Sequence, residues 1–285
     1  MWMILTLVYG LIKGAREIFK KKALQKNTVT EVLLIYTFLS LLIATPQIPN
    51  AMGLTARQYF LVAVKAFVIF VAWIAGFKAI KKLPLSLVGV LDLSRVLFAS
   101  LLGVLVLRES ITLNKGIGLV FVSAGLLLLK FNPFRKEKQK ELSENSSSFV
   151  YIFLAFLSCI LNAVSGLLDK ILMTEMNSSQ LQFWYTFFLV IFYAVYALCT
   201  RAKINPSVWK NVWVYLLAIG LIVMDKALFI ANGYAESQIT VMTLIKQSSV
   251  IVAIIAGKFV FKEKDILHKF LCAAIVVTGI IVGIC

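Results

Sequence analysis

One apolar pattern occurs twice in this chain, at residues 85–129 and again at residues 239–281. When Glu109 is set on Glu263, Gly103 falls on Gly257 and Ser94 on Ser248. Asp92 then falls on Lys246, each in the middle of an otherwise apolar segment. A repeat of this kind fixes the architecture as two related units. A charge at matching depth in both units points to a polar site between them.

The segments around the repeat are of the same character. Apolar residues make up 61% of the chain, with a mean hydropathy of +0.93, against about 45–50% for soluble domains. Crossing a bilayer takes about 20 apolar residues per helix. Runs of that kind fill nearly the whole chain, which leaves no room for a soluble domain. Barrel strands would alternate over about 10 residues between turns, whereas 67–77 and 116–129 are continuous. The fold class expected is therefore an all-α membrane protein.

Ten helices are expected, at 2–19, 31–48, 58–79, 85–107, 113–131, 149–173, 181–200, 208–233, 238–260 and 266–284. The first apolar run begins at Trp2 without a basic leader or a small-residue cleavage site, so it is read as a retained helix. The one long polar stretch, 132–148, is rich in Pro, Lys, Glu and Ser and cannot bury a core. It links a unit at 1–131 to one at 149–285. Five helices is an odd number, so the second unit lies inverted relative to the first.

The net charge of +16 is carried mainly in loops. Connections after odd-numbered helices hold 18 Lys and Arg, and those after even-numbered helices hold four. The positive-inside rule places the odd connections in the cytoplasm and both termini outside, in a multi-pass plasma (inner) membrane protein. The basic excess is read as meeting lipid headgroups, not nucleic acid. Cys159, Cys199, Cys272 and Cys285 lack metal-ligand spacing, and His268 has no second ligand near it. No nucleophile–base pair, phosphate loop or dinucleotide fingerprint is present, so neither a cofactor, a metal nor an enzymatic activity is expected.

An ionisable residue at membrane depth costs about 2.5–3.5 kcal/mol on insertion scales and marks a functional site by default. Asp92, Arg95, Asp225, Lys226 and Lys246 lie mid-segment. They form either an internal ion network or a polar cavity that binds a substrate or a coupling proton. Asp92 and Asp225 are the candidate proton carriers. Arg95 and Lys246 are the candidate clamps for an anion. Lys13 and Arg16 either reach the headgroups or face the same cavity, and Ser248 sits beside Lys246. Trp73, well inside its segment, is a cavity wall or ordinary packing. Lys65, Lys170 and Lys258 lie within about two turns of a helix end and are expected to extend to the interface. Gly10 and Gly14 form a GxxxG contact face.

The stretches 102–112 (LGVLVLRESIT) and 116–129 (ending SAGLLLL), repeated at 259–265 (FVFKEKD) and 273–283, resemble the EamA-like branch of the drug/metabolite transporter superfamily. The resemblance covers most of the chain. It implies a ten-helix transporter whose cavity is lined by the first, third, fourth, sixth, eighth and ninth helices. Where family members often carry Trp-Gly in the first helix, this chain has Tyr9-Gly10. Where they often carry proline midway along the fourth and ninth, it has Asp92-Leu93-Ser94-Arg95 and Lys246-Gln247-Ser248-Ser249. These departures suggest an anionic or zwitterionic substrate. The expected function is secondary transport of a small polar metabolite (an amino acid, organic anion or phosphorylated compound) by alternating access, by a monomer or homodimer. The alternatives are a flippase for a lipid-linked phosphate and a non-transporting scaffold or sensor.

Overall fold

The computed structural model describes residues 1–82, 85–110, 112–130, 146–249, 252 and 266–284. They are helical throughout, with no strand among them. The helices are α1 (Trp2–Leu24), α2 (Val29–Ala44), the short α3 (Ile48–Ala51), α4 (Ala56–Lys82), α5 (Leu85–Leu107) and α6 (Leu113–Lys130). After the polar stretch come α7 (Ser146–Leu172), α8 (Ser178–Cys199), α9 (Val212–Asn232), α10 (Ile239–Ile245) and α11 (Ile266–Ile284). Five helical stretches, at 29–51, 56–82, 149–172, 178–199 and 212–232, are long and apolar enough to cross a membrane. Shorter apolar helical stretches lie at 94–107, 113–125 and 274–283.

Local chemistry sets the boundaries. Thr28 and Glu31 form a capping box at the start of α2: the Glu31 amide donates to Thr28 Oγ1 at 3.3 Å, and the Thr28 amide to Glu31 Oε2 at 2.7 Å. Asn177 and Gln180 do the same for α8. Pro46 and Pro49, which cannot continue the helix, each open a separate short turn after Ala44, so α2 ends four residues before the expected 48. Asn211 caps α9 by accepting from the Trp213 amide at 3.1 Å, which shifts its start from the expected 208 to Val212.

Helix packing follows small residues. α6 lies against α11, where a Cβ on Gly118 would meet the Gly279 carbonyl at 2.7 Å. α1 brings the Gly10 and Gly14 face against the end of α10: a Cβ on Gly10 would sit 3.2 Å from the Lys246 carbonyl, and one on Gly14 2.6 Å from the Ser249 carbonyl. α4 packs on α7 and α8, α1 on α9, and α5 on α7.

The segment expected as one helix over 238–260 changes its winding. The α-helix stops at Ile245, and Lys246–Ser248 form a 3-10 turn. A 3-10 stretch inside a helical segment often marks a hinge. It provides, without proline, a break at the depth where the sequence places Lys246. Residues 250, 251 and 253–265, with Lys258 and Glu263, lie outside the described residues.

Candidate functional site: a buried basic cavity

A cavity of about 390 Å³ lies among α1, α4, α5, α7, α9 and α10. At one end it reaches Glu17 and Lys20, near the C-terminus of α1, and Ile80, near the C-terminus of α4. The Glu17 side chain there is 49% exposed and holds Lys20 at 2.7 Å. Deeper in, the wall is closed by Lys65, Asp169 and Asn232, all buried.

The residues singled out from the sequence divide clearly. Lys13, Trp73, Arg95, Asp225 and Lys246 line this one space, although they come from five different helical segments. Asp225 is 8% exposed and lies in the electrostatic field of Lys65, Arg16, Asp169 and Lys246. The Lys246 ammonium stands 5.2 Å from the Tyr9 ring centroid. Trp73 packs against Tyr36 with ring centroids 5.9 Å apart. The backbone of Asp92 belongs to α5, and its side chain lies outside the described residues.

Two expected site residues are placed elsewhere. Lys226, next to Asp225, is turned about 100° around the helix axis. Its ammonium donates to Gln47 Oε1 at 2.9 Å and Ser179 Oγ at 2.8 Å, away from the cavity. Ser248 is buried in the α1 contact, with its Oγ against Gly10. Its spacing from Lys246 suggested a shared wall, but the GxxxG face of α1 covers it.

The expectation for Lys65 is also corrected. Its side chain does not reach an interface. Lys65 is 2% exposed and pairs with Asp169 on α7 at 3.1 Å. Its ammonium lies 3.1 Å from the Tyr185 ring centroid and 4.8 Å from that of Phe229. Lys170, half-buried in the last turn of α7, is tied to the turn after α9: it donates to the Asn232 and Tyr234 carbonyls at 3.0 and 2.7 Å and to Ser237 Oγ at 2.6 Å. Arg16 is buried on the cavity side, its guanidinium 5.9 Å from the Tyr36 ring centroid.

The described lining therefore carries six cations (Lys13, Arg16, Lys20, Lys65, Arg95 and Lys246) against three carboxylates (Glu17, Asp169 and Asp225). Arg16 Nε and Asn232 Nδ2 are buried donors in the lining without a hydrogen-bond partner among the described residues. Such donors favour a ligand rich in acceptor oxygens. Among the described residues no group of His, Cys, Asp and Glu could hold a metal ion.

Glu109 accounts for the repeated glutamate in structural terms. Arg108 adopts a left-handed backbone conformation (φ 54°) and turns the chain after α5. Both carboxylate oxygens of Glu109 then reach the first turn of α10, in the other half of the sequence. The Ile239 amide donates to Oε1, while the Thr240 amide and hydroxyl donate to Oε2 at 3.0 and 2.8 Å. The α10 N-terminus has no side-chain cap of its own at Gln238, so Glu109 supplies one from a distance.

The comparisons with known proteins give the class, a membrane transporter. The family model for the EamA-like transporter family matches residues 1–131 and 149–284, and the chain belongs to that family. A Sinorhizobium protein described as an "Uncharacterized transporter in cobO 3'region" is 27% identical over 101 residues, covering 35% of this chain and 72% of that one. A solved structure titled "Crystal structure of protein" superposes with a TM-score of 0.79 at 11% identity, over 99% of this chain and 98% of that one, a likeness of fold. The chain is thus a multi-pass membrane protein that acts on a small molecule.

Proposed function

We propose that this protein is a secondary transporter that moves a small metabolite bearing an acidic group by alternating access. Its ten helices form two inverted five-helix repeats, at 1–131 and 149–285, joined by the polar linker 132–148. The observation that carries the reading is the excess of cations in the cavity, six against three carboxylates among the described lining residues. A cleft lined by an excess of one sign of charge concentrates ions of the other sign, and an acidic substrate fits that lining. Lys246, Arg95 and Arg16 are the clamps for its acidic group. Asp225 answers an amino group on the same molecule or carries a coupling proton. With odd-numbered connections in the cytoplasm of a plasma-membrane protein, the exposed end of the cavity at Glu17 faces inward, so this conformation is the inward-open one.

The test is a thermal-shift screen of the detergent-purified protein against amino acids, phosphorylated metabolites and quaternary amines. Acidic compounds are expected to stabilise it, and Lys246→Ala to abolish their effect. Stabilisation by quaternary amines alone, or acidic hits undiminished in Lys246→Ala, would refute the reading.

A further inference from the structure

Lys65 and Asp169 form a buried ion pair in the cavity wall, on α4 and α7, at 2% and 5% exposure. Such a pair repays its desolvation only when additional hydrogen bonds satisfy both partners. Here they are sparse. The Lys65 ammonium also lies against the faces of Tyr185 and Phe229, which attract a cation through the π-system and offer no oxygen acceptor from the ring face. Among the described residues, Asp169 Oδ1 meets the Lys65 ammonium at 3.1 Å and accepts no hydrogen bond from a second donor. Asp169 is thus held at Lys65 by charge and proximity. Another anion entering the cavity can satisfy Lys65 as well, and Arg16 Nε and Asn232 Nδ2 stand in the same lining as donors for its remaining oxygens.

We propose that Asp169 is a resident counter-ion that the acidic group of the substrate displaces from Lys65. Lys65 then carries the substrate's charge in the loaded protein, and Asp169 neutralises Lys65 when the cavity is empty. This rests on the reading of the substrate as acidic. It makes Lys65 a specificity-determining residue, and it explains how the empty site switches its access between the two sides of the membrane without a bare buried ammonium, which would oppose that step. Asp169, released by the substrate, lies in the field of Lys246.

Inorganic phosphate serves as the probe, with affinity read by calorimetry and by thermal shift on the full chain. Asp169→Asn removes the competitor and is expected to tighten phosphate binding about ten- to a hundredfold, the range set by one charge-assisted hydrogen bond. The double variant Lys65→Met/Asp169→Leu leaves no bare charge and is expected to bind phosphate more weakly than the natural chain. Asp169→Asn binding no tighter than the natural chain overturns the proposal, as does unchanged affinity in the double variant. Should Asp169→Asn fail to fold, the double variant decides alone: weakened binding supports the displacement and equal binding overturns it. The substrate reading fails separately, when the natural chain and Asp169→Asn both ignore phosphate and acidic metabolites and bind quaternary amines.

Discussion

Replacing Glu109 with Ala should destabilise the protein, although Glu109 does not itself line the cavity. The substitution removes three hydrogen bonds to a charged acceptor and leaves the Ile239 and Thr240 amides without their cap. Loss of an N-cap costs about 0.5–2 kcal/mol. The lost Thr240 hydroxyl bond adds about 1 kcal/mol, and the lost favourable charge at the helix terminus about 0.3–1 kcal/mol. Together these give about 2–4 kcal/mol. At about 2–4 °C per kcal/mol for proteins of 150–250 residues, the melting temperature in detergent should fall by about 4–16 °C. Glu109→Gln keeps one acceptor oxygen and should lose about half as much. Gly103→Ala offers an independent check, because its Cβ would lie 2.9 Å from Glu109 Oε2 and push the carboxylate off α10. Combined with Glu109→Ala it should cost less than the two separately, since both act on one contact. The reasoning is refuted if Glu109→Ala melts with the natural chain, or if Gly103→Ala and Glu109→Ala add in full.

Two further outcomes separate the cavity from its surroundings. Lys226→Ala should leave the affinity for acidic ligands unchanged and lower the melting temperature by about 1–6 °C per bond lost, because it removes contacts to Gln47 and Ser179; a weakened affinity would return Lys226 to the site. If Asp225 carries the coupling proton, Asp225→Asn in proteoliposomes should abolish the response of uptake to an imposed pH gradient; a response equal to that of the natural chain would exclude this role.

The helices were legible because apolar length and turn residues are local signals. The cavity was legible in part, because Arg95, Asp225 and Lys246 are costly at membrane depth whatever surrounds them. The place of Lys65 is not legible in the sequence, because distance to a helix end does not decide where its ammonium goes. Lys65 sits about 13 Å along α4 from Ala56 at 1.5 Å per residue, near enough to suggest an outward reach. Its direction is set by Asp169, Tyr185 and Phe229 on three other helices, which no spacing within α4 records. Lys226 shows the opposite limit: it stands beside Asp225 in the sequence, but adjacent residues on a helix do not share a face, and its ammonium meets Gln47 and Ser179. Glu109 stands out in the sequence because it recurs as Glu263 in the repeat. Its partner was hidden, since the contact joins residues about 130 positions apart.

That separation bears on how the chain is made. Glu109 leaves the ribosome long before Ile239 and Thr240, and at synthesis rates of about 5–20 residues per second the interval is about 7–26 seconds. Throughout it the carboxylate at the end of α5 has no helix to cap, and it must stay in water or headgroups until the second half arrives. The first half alone therefore cannot complete its own end. Expressed as two separate polypeptides, the halves should accumulate only when made together.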